Sequence, residues 1–290
     1  MNTLFTWESA YLAPAKLNLF LHVTGRRADG YHLLQTVFCL IDRADVLRFE
    51  PRRDGEVRLA CPLPGVPEDS DLTVRAARLL QQEAVQRGGA RPGVTIALDK
   101  YLPMGGGLGG GSSDAATVLL ALNHLWRLGL SRRRLQELGL GLGADVPVFV
   151  FGENAFAEGV GEDLQKISMN ATSCYLVLVP PVQVPTADIF RSPSLCRNTP
   201  RMRPADWRPG FGHNDLQPVA VARAPVIGEA IEWLAQFGDA RLTGSGSCVF
   251  AEFSTLTAAQ TVLAALPSHL TGWVARGLDQ HPLRKLCMDD

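Results

Sequence analysis

The chain has 290 residues, of which 46% are hydrophobic and 20% are charged, as is ordinary for a globular protein. Its 28 basic and 29 acidic residues give a formal net charge of -1, so no overall positive field exists to attract nucleic acid or an acidic membrane surface. Six scattered cysteines without a metal-ligand spacing favour a reducing compartment over a disulfide framework.

The N-terminal segment, residues 1–15, lacks the basic start and apolar stretch of a signal peptide. No apolar run approaches the ~18 residues that are needed to span a bilayer. We therefore expect a cytoplasmic protein with neither a nucleic-acid nor a membrane partner.

The first predicted element is a strand over residues 15–24, where side chains alternate strictly. Its two faces are Ala15, Leu17, Leu19, Leu21 and Val23, and Lys16, Asn18, Phe20, His22 and Thr24. The apolar face is expected to be the one buried in the core. Asp29-Gly30 is a turn signal that places a loop over 26–32. Strands are then predicted over 37–41, 46–50 and 57–61, and a helix runs from a cap at 69–71 to about residue 87.

Later elements follow the same rules. A strand over 94–98 leads into a glycine-rich loop, and Ser112 and Ser113 open a strong helix over 114–126. Ser131 caps another helix, and residues 146–151 are predicted to form a short apolar strand. Further strands are predicted over 175–179, 248–253 and 273–276, and helices over 226–237 and 255–266. Recurrent prolines over 180–209 predict extended loop.

This mixture of antiparallel-looking strands and helices predicts an α+β fold of two lobes. The boundary is placed near residues 152–161, which gives an N-terminal lobe over 1–155 and a C-terminal lobe over 156–290.

The glycine-rich loop is the most informative stretch. Glycines let backbone N–H groups crowd around an anion, and the helix N-terminus behind them adds unpaired N–H groups and a positive dipole end. We therefore predict a phosphate cradle, to which the two serine hydroxyls add hydrogen bonds or reach a phosphate-bound Mg²⁺. It consists of Pro103, Met104, Gly105, Gly106, Gly107, Leu108, Gly109, Gly110, Gly111, Ser112 and Ser113.

Three other interpretations of this loop are weaker. A flexible linker would not be followed at once by a strong helix. The Walker pattern requires a lysine that is missing after Gly110 and Gly111. A dinucleotide fingerprint does match at Gly105, Gly107 and Gly110. Such a fingerprint should come directly off a strand and be followed by an acidic residue some 20 positions on, and neither condition is met here.

The sequence resembles the GHMP kinase superfamily through three motifs in order: APAKLNL at 13–19, the loop at 103–113, and LTGSGSCVF at 242–250. Within the superfamily, the segments RADGYH at 27–32 and GADVPVF at 143–149 are similar to the branch that phosphorylates cytidine-diphosphate-linked methylerythritol in the non-mevalonate route to isoprenoid precursors. The resemblance implies ATP and Mg²⁺, an active site in the cleft between the lobes, and transfer to the 2-hydroxyl of a small molecule that carries a cytidine diphosphate group. One departure is Asp71, where the resemblance leads us to expect Asn near the nucleotide base.

The resemblance also implies residue roles. Asp145 is the base that accepts the proton of the acceptor hydroxyl, and Lys16 keeps it ionised and stabilises the transferring phosphoryl group. From the pattern alone, Asp145 could instead cap a helix and Lys16 could be a snorkelling surface lysine.

Substrate contacts are implied for five residues: Asn18, Tyr31, His32, Thr186 and Phe190. Tyr31 and Phe190 would stack on the two faces of cytosine, and His32 would hydrogen-bond the base edge. Without the resemblance, Tyr31 and His32 are equally well explained as exposed residues that fix a hairpin, and Phe190 as a core residue of a short helix. The 244–247 loop could contact the substrate, close the phosphate site or be a tight turn between two strands.

Three functions therefore stay open. They are the cytidyl-methylerythritol kinase, another GHMP kinase that acts on homoserine, mevalonate or a sugar, and a non-catalytic nucleotide binder or dinucleotide oxidoreductase. Lys16 and Asp145 together favour the first two, and Tyr31, His32 and Phe190 favour the first.

Overall fold

The computed structural model describes residues 5–169 and 173–288. The first four residues of the N-terminal segment discussed above thus lie outside the described residues. No helix in the described ranges combines the length and the apolarity that crossing a bilayer requires.

Within the described residues, six strands form the sheet of the first lobe in the order β3-β4-β2-β5-β6, with β1 also paired to β2. All of the pairings are antiparallel except that of β3 with β4. The predicted strands over 37–41 and 46–50 are parts of one long strand, β2. The strands are β1 Tyr11–Arg26, β2 His32–Arg52, β3 Val57–Leu59, β4 Gly93–Asp99, β5 Ala155–Glu158 and β6 Asp163–Lys166.

Helices cover this sheet. α2 packs against β1, α1 and α4, and its Ala- and Leu-rich sequence is buried on nearly every side, as expected of a helix that is apolar all round. The predicted Ser131 cap is confirmed, because its hydroxyl accepts a hydrogen bond from the Arg134 N–H at 3.3 Å. The helices are α1 Leu72–Gln86, α2 Gly110–Leu125, α3 Arg132–Leu140 and α4 Val146–Phe151.

The prediction of a strand over 146–151 is wrong, because these residues form α4. A short apolar run has no periodicity that separates a buried strand from a buried helix. Pro147 lies in the first turn, where a missing N–H costs nothing. Gly152 ends the helix with φ 74°, and its N–H donates to the Val148 carbonyl at 2.9 Å.

The expectation that only one face of β1 is buried is also wrong. Lys16, Asn18 and His22 on the polar face are no more than 5% exposed, although the apolar face is buried as expected. The second lobe packs against this strand, since Leu17 shares a core cluster with Tyr175 and other residues of the second sheet. The polar face is covered separately, for example where the rings of His22 and His213 lie 4.6 Å apart. Both faces of β1 are therefore enclosed by other parts of the protein.

The second lobe has a four-stranded sheet within the described residues, in the order β10-β7-β9-β8, flanked by helices. The proline-rich stretch was expected to be extended, but it contains α5 and a 3₁₀ turn at Pro204–Asp206. These elements are β7 Cys174–Leu178, α5 Thr186–Arg191, α6 Gln217–Arg223, α7 Pro225–Leu234, β8 Arg241–Leu242, β9 Val249–Phe253, α8 Leu256–Ala264 and β10 Gly272–Arg276.

Sheet membership changes between Lys166 and Cys174, since β5 and β6 still belong to the first sheet. The predicted lobe boundary after residue 155 falls inside β5. The division into an N-terminal and a C-terminal lobe at this residue stays a prediction.

Candidate functional site

A cleft of about 510 Å³ opens between the two lobes. The glycine-rich loop and the start of α2 form one wall, and β1, the N-terminus of α4, α5 and the turn between β8 and β9 complete it. The predicted residues among those that line it are Lys16, Asn18, Pro103, Met104, Gly105, Gly106, Gly107, Leu108, Gly109, Gly110, Gly111, Ser112, Asp145, Thr186 and Phe190. Ser113, Tyr31 and His32 are not among its lining residues in the described part of the chain.

Lys16 and Asp145 meet in this cleft. Lys16 Nζ lies 3.2 Å from Asp145 Oδ2 and donates to Asn18 Oδ1 at 2.5 Å. Lys16 is 2% exposed, which excludes a snorkelling surface lysine, and the Asp145 carboxylate is 33% exposed. Among the described residues, no capping hydrogen bond engages the Asp145 side chain, although it precedes α4. A buried cation therefore faces a carboxylate that a ligand in the cleft can reach.

β1 supplies Lys16 and Asn18 from one face because strand side chains repeat every two residues. Asn18 is held from both sides: its backbone N–H donates to Thr243 Oγ1 at 3.0 Å, and its Nδ2 donates to Thr36 Oγ1 at 2.9 Å. Thr243 belongs to the second lobe, so this contact fastens the two lobes at the floor of the cleft. The sequence analysis included Thr243 only as part of the motif at 242–250, and it missed Thr36, for which no local signal exists.

The glycine-rich loop packs against the turn between β8 and β9. Gly107 has φ 75°, and a Cβ built there would lie 2.1 Å from the Thr243 carbonyl oxygen. The Cys248 N–H donates to the Gly106 carbonyl at 3.1 Å, and the Lys16 N–H donates to the Leu108 carbonyl at 3.0 Å. The loop is therefore ordered by contacts with both lobes, which is not how a flexible linker behaves.

The start of α2 presents free backbone to the cleft. The helix begins at Gly110, four residues before the predicted start at residue 114. Gly111 is exposed and lines the cleft with Ser112. Ser113 is fully buried and donates to the Pro14 carbonyl at 2.6 Å, so its hydroxyl holds β1 against α2. Of the two serines, Ser112 is the one that a ligand can reach.

A buried charge cluster that the sequence analysis missed lies under this helix start. Lys100 Nζ donates to Asp45 Oδ2 at 2.5 Å and to Asp114 Oδ2 at 2.6 Å. Asp45 Oδ1 also accepts the N–H groups of Tyr101 and Leu102 at 2.6 and 2.7 Å. Burial raises the pKa of Asp114 to about 7, opposed by the Lys100 charge. The only hint in the sequence was an acidic residue in an otherwise apolar helix.

Two of the predicted base-binding residues contact each other, since the rings of His32 and Phe190 are 4.9 Å apart with an interplanar angle of 32°. Phe190 lines the cleft from α5, whereas Tyr31 is 63% exposed on the loop before β2. Thr186, at the start of α5, exchanges a hydrogen bond of 2.7 Å with Ser245 Oγ. The fold therefore brings Phe190 and His32 into contact, whereas the Tyr31 side chain is exposed to solvent.

The loop over 244–247 is a tight turn, and it also lines the cleft through Gly244, Ser245 and Gly246. Its ends are closed by a hydrogen bond of 3.0 Å from the Thr243 N–H to the Cys248 carbonyl. The tight-turn interpretation is therefore confirmed, and contact of this loop with a substrate stays a prediction.

Two further residues support the cleft. Asn214 Nδ2 donates to the carbonyls of Leu242 and Gly244, both at 2.8 Å, and so fixes the turn before β9. Asp71, the departure noted in the sequence, is 4% exposed and lines the cleft. Its carboxylate accepts the Thr73 N–H at 2.8 Å as the N-cap of α1. The aspartate is thus held by a structural hydrogen bond.

Comparison with known proteins identifies the family of this chain. Residues 71–153 match the family model described as GHMP kinases N terminal domain, and residues 203–272 match GHMP kinases C terminal. A protein of Dechloromonas aromatica named 4-diphosphocytidyl-2-C-methyl-D-erythritol kinase is 63% identical over 94% of this chain and 98% of its own length. A protein of Thiobacillus denitrificans with the same name is 65% identical over 95% of this chain and 98% of its own.

Among solved structures, one described as 4-(cytidine 5'-diphospho)-2C-methyl-D-erythritol kinase matches with a TM-score of 0.76 and 33% identity, over 93% of this chain and 99% of that one. Both family models, the sequence relatives and this solved structure indicate the same family. The chain belongs to the GHMP kinase family.

Proposed function

We propose that this protein transfers the γ-phosphate of ATP to the 2-hydroxyl of 4-diphosphocytidyl-2-C-methyl-D-erythritol, a step in the non-mevalonate supply of isoprenoid precursors. The observation that carries the proposal is the near full-length identity of 63% and 65% to two proteins that bear this kinase's name. The geometry of the cleft supports it, because a base, a cation and a phosphate cradle lie together there.

Asp145 is the proposed base. Its carboxylate borders the cleft and is partly exposed, so it can accept the proton of the substrate hydroxyl as that oxygen attacks phosphorus. The neighbouring Lys16 ammonium forms an ion pair with this carboxylate at 3.2 Å and would compensate negative charge on the transferring group. Phosphoryl transfer requires mainly positioning and charge compensation, which this pair can supply.

The glycine-rich loop is the proposed seat of the ATP phosphates. Support comes from the unpaired N–H groups at the first turn of α2, where Gly111 and Ser112 face the cleft. Pro103, Met104 and Leu108 would shape the loop around the nucleotide. Ser113 contributes through the β1 contact described above, since its hydroxyl is already engaged.

The donor set fits a Mg²⁺ ion that arrives on the nucleotide. No group of three or more His, Cys, Asp or Glu that could hold a metal occurs in the described ranges. Mg²⁺ in kinases needs only one or two protein ligands beside the phosphates, and Ser112 Oγ, which lines the cleft, is the candidate. When bound, the ion would neutralise charge on the transferring phosphoryl group.

The cytidine end is assigned to Tyr31, His32 and Phe190, and Thr186 and Asn18 are proposed to hold the methylerythritol diphosphate portion. These residues come from both lobes, so the N-terminal lobe as defined by residues 1–155 would contribute to substrate binding as well as to ATP binding. A location in the cytoplasm also stays part of the proposal.

An acceptor panel tests the function. ADP release should be measured with the cytidyl-methylerythritol substrate, mevalonate, homoserine and galactose, with Asp145→Asn as the inactive control. We expect turnover with the cytidyl substrate only, and ³¹P NMR should place the new phosphate on the 2-hydroxyl. Preferred turnover of mevalonate or homoserine would assign the chain to another kinase of the family.

A further inference from the structure

The guanidinium of Arg197 forms hydrogen bonds with both His32 and the backbone at Phe190, two of the residues that are proposed to bind cytosine. Nη1 donates to the Leu195 carbonyl at 3.0 Å, and Nη2 donates to the carbonyls of Phe190 and Ser192 at 3.0 and 2.7 Å. Nε donates to His32 Nε2 at 3.1 Å. All three guanidinium nitrogens are thus engaged between the end of α5 and the first residue of β2.

The contact with His32 fixes which ring nitrogen carries the proton. A guanidinium is a donor only, so His32 Nε2 must be the unprotonated, accepting nitrogen. Burial lowers the pKa of His32, and the charges of Arg197 and Arg26 lower it further, which makes the neutral ring the form at neutral pH. In that form the proton is on Nδ1. No residue in the described ranges accepts a hydrogen bond from it.

Such a donor can distinguish cytosine from uracil at the edge of the base. N3 of cytosine is an acceptor, whereas N3 of uracil carries a hydrogen and would meet the His32 N–H donor to donor. We propose that Arg197 is a positioning residue that makes the site select cytosine over uracil, because it holds His32 as an Nδ1–H donor. This proposal rests on the proposed function, in which His32 faces the base edge.

The kinetic test replaces Arg197 by methionine and compares the cytidyl substrate with its uridyl analogue. Without the guanidinium, His32 can adopt either tautomer, so the ratio of the two kcat/KM values should fall by at least about fivefold, the lower end for leaving a donor unpaired. KM for ATP should not change. Arg197→Lys keeps a donor and should retain most of the selectivity, and Arg201→Met, which removes an exposed arginine four residues on, should leave the ratio as in the wild type.

A spectroscopic test needs no substrate. ¹⁵N NMR of the free enzyme, with the His32 signals assigned by their loss in His32→Gln, should show a protonated Nδ1 in the wild type and a mixture of tautomers in Arg197→Met. A proton on Nε2 in the wild type overturns the proposal.

Two kinetic outcomes separate this proposal from the function on which it rests. Normal wild-type turnover with an unchanged cytidyl-to-uridyl ratio in a folded Arg197→Met overturns the role of Arg197 alone. Absence of wild-type turnover with the cytidyl substrate overturns both.

Discussion

Removing the charge of Asp145 should separate catalysis from stability at one position. Asp145→Asn keeps the shape of the side chain but removes the proton acceptor, and loss of a general base costs on the order of 10²–10⁴-fold in kcat. ATP affinity should change little, because the phosphate cradle belongs to other residues of the cleft.

The same change leaves Lys16 as a buried ammonium without its anion. Breaking a buried ion pair costs about 3–5 kcal/mol, but here the carboxylate is 33% exposed and Asn18 Oδ1 still accepts from Lys16 at 2.5 Å. We therefore expect a smaller loss, roughly 1–3 kcal/mol, or a fall in Tm of roughly 2–8 °C. Lys16→Met should abolish turnover to a similar extent with a smaller loss of stability, since it leaves only a partly exposed carboxylate.

The double variant Lys16→Met/Asp145→Asn is the matched control. It should recover most of the stability lost in Asp145→Asn because no buried charge remains, while its kcat stays low. The measurements are coupled ADP release, calorimetric ATP titration and thermal unfolding. Turnover near the wild-type value in Asp145→Asn would refute the base, and a double variant no more stable than Asp145→Asn would refute the unpaired-ammonium reasoning.

Substitutions in three further parts of the protein have expected outcomes. Gly111→Val places a side chain at the exposed first turn of α2 and should abolish ATP binding in a folded protein. Gly107→Val should also disrupt the packing of the glycine-rich loop against the second lobe, because its Cβ would meet the Thr243 carbonyl. Tyr31→Ala and Phe190→Ala should each raise KM for the cytidyl substrate roughly 5- to 150-fold with KM for ATP unchanged, as for loss of one stacking face. In the folded state Asp114 keeps its proton up to about pH 7, whereas in the unfolded chain it loses the proton near pH 4. Rising pH between these two values therefore favours unfolding. From pH 5 to pH 8, the Tm of Asp114→Asn should fall less than the Tm of the wild type.

Exposed side chains of the same types serve as controls. Tyr101→Ala removes an aromatic ring that is 56% exposed and should leave the cytidyl KM unchanged. Asp99→Asn removes a surface carboxylate paired with Arg48 and should keep the wild-type dependence of Tm on pH. Unchanged calorimetric ATP affinity in a folded Gly111→Val would place the phosphates elsewhere, and an unchanged cytidyl KM in both aromatic variants would exclude the stacking clamp. An equal fall in Tm in Asp114→Asn and the wild type would assign the pH dependence to other groups.

Local sequence determined those features that depend on backbone geometry alone. The two-residue period of β1 placed Lys16 and Asn18 on one face, and the turn signal at Asp29-Gly30 separated β1 from β2. The glycine-rich run followed by Ser112 predicted a loop that opens a helix, although the helix begins four residues earlier than predicted. Each of these features is specified by residues within about ten positions of one another.

Tertiary packing decided what no short window contains. Whether residues 146–151 form a strand or a helix depends on their neighbours, because an unbroken apolar run suits either. The surroundings of Lys16 depend on distant parts of the chain, since its ammonium lies 3.2 Å from Asp145 and its backbone N–H donates to the Leu108 carbonyl. The contact of Asn18 with Thr243 joins residues that are 225 positions apart. The bond from Arg197 to His32 spans 165 residues and was invisible to any local pattern. Backbone propensity acts between near neighbours in sequence, whereas desolvation and hydrogen-bond partners are set by whichever surfaces the fold brings together.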